Sequence, residues 1–249
     1  MVSSNKSPAM NEILPQPPPD APMPPPSEAA LRSQRWRNWI VGVGVLCMFA
    51  VAMLPMTVRQ SKCRGKMSES VSNARQMGLA LDEFENEYGS LPNDSTRRLV
   101  EAKNPGSTIP LGTASSNDYF RQLIAAEIST SEVMFYGKMP DTHKPDNVMI
   151  GSRALEKGEC SFAYVVGCSF KSTSRTPVAL FPLVKGKLLF DYKTCKKFHY
   201  GSATVLFTDN SVTTLPVDKS GHVFINGKDL FDPSQPFWGG KVPVVKWPE

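Results

Sequence analysis

The sequence predicts an α+β protein in which one long N-terminal helix, apolar in its first half, packs its second half against an antiparallel β-sheet. Three observations predict it. Asn38–Val58 is a stretch of 21 residues without a charged side chain, bracketed by arginines and lysines. From Met67 to Tyr88 apolar residues recur in steps of three or four, the spacing of one helix face. Beyond residue 160, short runs of β-branched and aromatic residues alternate with Gly, Asn and Asp turns.

Composition narrows the function classes. The chain has 249 residues, 41% hydrophobic and 20% charged, which suits one packed body with extensions. Its formal charge of +5 is unevenly placed: residues 1–31 sum to −2, residues 32–66 to +7, and residues 67–249 to zero. A neutral body lacks the basic footprint of a nucleic-acid binder, so no nucleic-acid partner is expected. The positive charge belongs to the flanks of the apolar stretch.

Each element follows in chain order. Residues 1–31 form a Pro-rich tail, with nine prolines in the first 26 positions, that cannot bury enough surface to fold. Its proline runs favour extended polyproline II, either as a solvated spacer or as a ligand for a proline-reading domain. Residues 38–58 are read as a transmembrane helix. As a helix they span about 31 Å, the thickness of bilayer hydrocarbon. Trp36 and Trp39 stand at the level of an interfacial belt. A cleaved signal peptide is the alternative, with Ala50-Val-Ala52 as its small-x-small site, but the segment before it would be unusually long and proline-rich. The basic residues on the two flanks give a slight vote for a cytoplasmic body.

Residues 59–90 continue the helix outside the membrane. Met67, Val71, Ala74, Gly78, Leu81, Phe84 and Tyr88 form its apolar stripe, with Asn73, Arg75, Gln76, Glu83, Glu85 and Glu87 placed off it. Pro55 is expected to kink the helix, Gly89 to end it and Pro92 to prevent its resumption. Residues 91–249 form the α+β body. Asn117–Ala126 reads as a short helix capped by Ser115, Ser116 or Asn117. The expected strands are Ser161–Val166, Val178–Val184, Lys187–Tyr192, Ala203–Thr208, Val212–Val217 and His222–Ile225. Asp209-Asn210 suits a tight primed turn between the fourth and fifth of these, and Gly186-Lys187 and Gly227-Lys228 mark further turns.

No catalytic residues and no cofactor are expected. There is no Gly-x-Ser-x-Gly elbow around which His143, His199 or His222 could build a triad, and no phosphate-cradling glycine loop. Asp141, His143 and Asp146 cluster in a Pro-bearing loop that is either a metal site or solvated polar surface. Asp209 and Asp218, with Asn210 and Asp229, are weak candidates for supplying oxygens to calcium. Of the five cysteines, Cys47 lies in the apolar stretch and Cys63 just outside it. One disulfide among Cys160, Cys168 and Cys195 is expected in an oxidising compartment, with buried free thiols as the alternative.

Several motifs together resemble one family. Met53-Leu-Pro-Met56 is followed by Arg59, Lys62 and Arg64, then by Ser72-Asn-Ala-Arg-Gln-Met-Gly-Leu-Ala-Leu81, then by Glu87-Tyr-Gly-Ser-Leu-Pro92. This resembles the N-terminal helix of type IV pilin-like proteins, and is most similar to type II secretion pseudopilins. His199 and Asp209 have the spacing of the H-x9-DG signature of one branch, with Asn210 in place of the glycine. The resemblance implies structural signature roles for Gln76, Gly78, Leu81, Tyr88, Gly89, Pro92, His199 and Asp209. It implies a single-pass inner-membrane anchor, a periplasmic body and a cytoplasmic tail. It also implies other pilin-like subunits or secretion-platform proteins, and membrane lipid, as partners. Ser33-Gln-Arg-Trp-Arg-Asn38 stands where relatives carry a processing-site glycine and a registering acid; both are absent. The expected function is therefore a structural or accessory component of a secretion or pilus-type assembly. A tethered periplasmic binding domain that never polymerises is the alternative.

Overall fold

The computed structural model describes residues 27–173 and 175–249, and leaves the side chains of residues 30, 50 and 52–59 undescribed. Residues 1–26 of the Pro-rich tail lie outside the described residues. The chain divides into two compact units, Met1–Leu54 and Pro55–Glu249. Its first element is helix α1, Glu28–Tyr88. Helix therefore begins ten residues before the expected start at Asn38, inside the stretch read as tail: Glu28, Ala29, Ala30 and Leu31 carry no helix breaker.

In the first unit, Trp36, Trp39, Ile40, Val41, Leu46, Met48 and Phe49 are all exposed. Among the described residues no helix is long and apolar enough to cross a membrane. The candidate span Asn38–Val58 runs into residues 52–59, and the side chain of Pro55, where a kink is expected, is among those undescribed.

The second unit begins with the remainder of α1, which ends where Gly89 takes φ +82° and its N–H bonds the Glu85 carbonyl at 2.9 Å. Helix α2, Asp94–Lys103, follows at once and was not expected; Asn93 caps it by accepting from the Ser95 and Thr96 N–H groups. Helix α3, Ser116–Ala125, is the predicted short helix, and Ser115 is its cap.

The strands are β1 (Ala163–Val165), β2 (Pro177–Phe181), β3 (Ser202–Phe207), β4 (Val212–Pro216), β5 (Phe224–Ile225), β6 (Lys228–Asp229) and β7 (Val245–Lys246). Five form one antiparallel sheet in the order β4-β3-β2-β1-β7, and β5 pairs with β6 alone. The predicted strand at Lys187–Tyr192 does not form. Phe190 makes a single bridge to Leu183. Asp191 then accepts from the Lys193 and Thr194 N–H groups and starts helix α4, Tyr192–Phe198. The β3–β4 turn also differs from a two-residue primed turn, because among its residues only Asn210 has positive φ, at +60°. Its N–H bonds the Phe207 carbonyl at 3.0 Å, leaving Asn210 as the left-handed residue that closes the turn.

Strand alternation sorts the core into two layers. Tyr164, Ala179, Phe181 and Leu206 join Ala74, Met77, Leu81 and Phe84 of α1 and Phe120 and Leu123 of α3. Ala163, Val165, Leu180, Ala203, Val205 and Phe207 face the other way, under Phe190, Cys195, Leu230, Phe231 and Trp238. Both faces of the central strands β1, β2 and β3 are thus buried. That explains why β1 and β2 read as nearly continuous apolar runs.

Candidate functional site

The α1 stripe is the first candidate site, because it joins the helix motif to the sheet. Ala74, Gly78, Leu81, Phe84 and Tyr88 are buried as the spacing predicts, Met67 and Val71 are half-buried, and Met77, outside the predicted stripe, is buried beside it. Asn73 and Glu85 are buried as well, contrary to their expected place off the stripe. Each is a polar peg for a distant loop. Asn73 Nδ2 donates to the Tyr136 carbonyl at 2.9 Å. The Glu85 carboxylate accepts from Ser169 Oγ and, at 2.7 Å, from the Phe170 N–H. Ser70 Oγ lies 3.2 Å from Thr204 Oγ1 of β3. These bonds satisfy groups that would otherwise be costly to bury, so the helix presents a wider face than its apolar residues trace.

The signature residues divide by role. Gln76 is exposed, whereas Pro92 is buried and its carbonyl accepts from Tyr164 Oη at 3.0 Å. His199 and Asp209 do not meet; they flank β3 at its two ends. His199 is fully buried. Its Nε2 lies 2.8 Å from the Lys138 carbonyl and must donate, so Nδ1 is the unprotonated nitrogen, and it has no partner. Burial pulls the His199 pKa down, and Lys66 pushes the same way against the Lys138 hydrogen bond. The Phe181 ring stands edge-on to it at 4.8 Å. Asp209, at the other end, pairs with Arg175 at 3.1 Å and accepts from the Ser211 N–H at 3.0 Å.

The weak calcium candidates do not come together. Asp209 is held as above, while Asp218 Oδ1 accepts from the Ser220 and His222 N–H groups at 2.9 and 2.8 Å. A different trio converges. Glu132, Asp146 and Glu159 each place one carboxylate oxygen within 4.8 Å of the others, forming among the described residues the one group of three or more such ligands. Of the expected loop cluster, Asp146 belongs to this trio. His143 stands at its edge, 3.9 Å from Glu159 Oε1. Glu132 and Glu159 escaped sequence reasoning because they lie 14 and 13 residues from Asp146 with no ligand spacing between them.

No disulfide joins Cys160, Cys168 and Cys195; all are free. Cys160 belongs to the core layer under α1 and Cys195 to the layer beyond the sheet, while Cys168 packs at the margin of both. The sheet thus stands between the two buried thiols. Burial pushes each of the three thiols up to about 12, which leaves them inert as nucleophiles at neutral pH.

No family profile, curated protein or solved structure matches the chain.

Proposed function

We propose that this chain is a membrane-anchored, pilin-like structural or accessory component of a type II secretion or pilus-type assembly. The observation that carries the reading is the seating of the α1 motif. Residues Ser70 to Tyr88 bury one wide face on an antiparallel sheet, and the signature residues Gly78, Leu81, Tyr88 and Pro92 fall inside that contact. The apolar side chains exposed around residues 36–49 fit a helix whose solvent is lipid or neighbouring helices. In this reading residues 38–58 cross the inner membrane once, the body lies in the periplasm and the tail in the cytoplasm. The partners are other pilin-like subunits or secretion-platform proteins. In this reading the role is structural rather than enzymatic.

The second reading, a tethered binding domain that never enters a filament, is favoured by the missing glycine and acid in Ser33–Asn38. Crosslinking in native membranes followed by purification separates the two. Recovery with other pilin-like subunits supports the assembly component, and recovery of an uncrosslinked monomer supports the tethered domain. Accessibility of the body to protease added outside intact spheroplasts tests the orientation; protection of the body would overturn it.

A further inference from the structure

Helices α1 and α4 bring six cationic side chains together in the second unit. On α1 these are Lys62, Arg64 and Lys66, and on α4 they are Lys193, Lys196 and Lys197. Direct contacts join the two helices there. Cys63 Sγ donates to the Lys197 carbonyl at 3.2 Å. Lys66 Nζ and Lys197 Nζ both stand over the Phe198 ring, 4.7 and 4.9 Å from its centre, and the Arg64 guanidinium lies 5.8 Å from the centre of the Tyr200 ring. Lys62 and Lys66 are four residues apart on one helix, as are Lys193 and Lys197 on the other, so each helix carries a like-charge pair that weakens it in water. Among the described residues no carboxylate pairs with any of the six. Two acids close to them in sequence are engaged elsewhere: Asp191 caps the start of α4, and Glu69 pairs with Lys144 at 3.4 Å. The patch therefore gathers positive charge without an internal countercharge.

We propose that this patch seats the body on anionic phospholipid headgroups of the leaflet at which α1 leaves the bilayer. Lys62 follows Val58, the last residue of the uncharged stretch, by four residues, about 6 Å of helix. Headgroup phosphates supply the countercharge that the chain lacks, and their attraction fades within a Debye length, so only a surface held this close gains from it. Five of the six cations are exposed, and Lys66 is half-buried. Between them stand Tyr200, 52% exposed, and the half-buried Phe198, rings suited to the interfacial layer. An acidic protein surface offers similar charge, but nothing tethers one here, whereas the chain itself fixes the end of the apolar stretch beside Lys62. This inference deepens the assembly reading. It rests on the membrane anchor of that reading and holds whichever side of the membrane the body occupies.

The test inserts the full chain into nanodiscs of phosphatidylcholine, with or without about 30% phosphatidylglycerol, and follows lysine acylation by mass spectrometry. In the anionic discs Lys193, Lys196 and Lys197 should be acylated at least about threefold more slowly than in the neutral ones, and the difference should vanish at roughly 0.5 M salt. Lys103 is paired with Glu87 near the C-terminal end of α1, which lies about 33 Å along the helix from Lys66, and should react alike in both discs. Lys193→Gln/Lys197→Gln should cut the protection of Lys196 by about half or more, whereas Lys193→Arg/Lys197→Arg should keep it. The wild-type comparison decides the matter if either variant misfolds. Equal acylation in both discs by an inserted chain would overturn the proposal and leave the anchor standing, while a chain that inserts in neither disc would overturn both. Equal protection in the two double variants would show that charge does not seat the patch. Protection by polyglutamate in neutral discs, with none from anionic lipid, would reassign the patch to an acidic protein and overturn the proposal.

Discussion

Gly78 and Asn210 meet where α1 crosses the β3–β4 turn: a β-carbon at position 78 would stand 2.2 Å from Asn210 Oδ1 and 3.0 Å from Leu206 Cδ1. A glycine in the interior of a helix costs about 1 kcal/mol relative to alanine, so its presence needs a reason. The reason is close approach. The side chain that fills the space is that of Asn210, and its Oδ1 is buried without a partner.

Gly78→Ala should therefore destabilise the body by roughly 1–3 kcal/mol despite the better helix propensity of alanine. Asn210→Gly should be close to neutral, since glycine accepts the +60° φ and the unpartnered oxygen disappears. The double variant should recover most of the loss, with a coupling of about 0.5–3 kcal/mol in chemical denaturation. Strictly additive effects would show that the two residues do not share this space.

His199 predicts a pH dependence. Its folded-state pKa is depressed, chiefly by burial, with Lys66 adding to the effect and Glu69 opposing it. A histidine held neutral in the fold contributes stability that is fully present above its unfolded pKa of about 6.5. That stability is lost as pH falls from there through the folded-state value. Stability should therefore decline as pH falls below about 6.5, by at most about 1.4 kcal/mol per pH unit from this group. His199→Gln should flatten that part of the curve.

Glu85 should behave as a structural peg. Glu85→Ala removes the acceptor for Ser169 Oγ and the Phe170 N–H and should cost about 2–4 kcal/mol. Amide exchange at Phe170 should accelerate more than exchange in β3. If both change alike, the carboxylate is not what holds this loop to α1.

The cysteines make a chemical prediction. With their thiols pushed up to about 12 by burial, Cys160 and Cys195 should resist alkylation in the folded protein. They should react at least about 100-fold faster once unfolded. Reducing agent should leave the unfolding temperature unchanged. A drop on reduction would reveal a disulfide that the folded geometry does not contain.

Much of the body was legible in its residues. The stripe from Ala74 to Tyr88, the Ser115 cap and the hairpin of β3 and β4 all appear where local signals put them. Helical spacing, capping chemistry and a left-handed Asn are properties of neighbours in sequence. The errors have a common origin. Lys187–Phe190 carries strand-like residues, yet Asp191 redirects the chain into α4. The sequence signals for Val245–Lys246 are short and weak, and its strand exists because β1 offers a free edge. Asn73 and Glu85 look like solvent-facing positions until the loops at Tyr136 and Ser169 arrive.

By itself the sequence determined the uncharged stretch and its basic flanks, the amphipathic face that follows, and the position of the β3–β4 hairpin. Each is written in contiguous residues through periodicity, charge and backbone preference. Only the tertiary structure decided which polar residues are buried, that the central strands of the sheet are covered on both faces, that Cys160 and Cys195 occupy different layers, and that Glu132, Asp146 and Glu159 meet. Those outcomes depend on partners far along the chain, as much as 134 residues apart for Ser70 and Thr204. A long-range contact leaves no local pattern, because the residues that make it are brought together by the packing of everything between them.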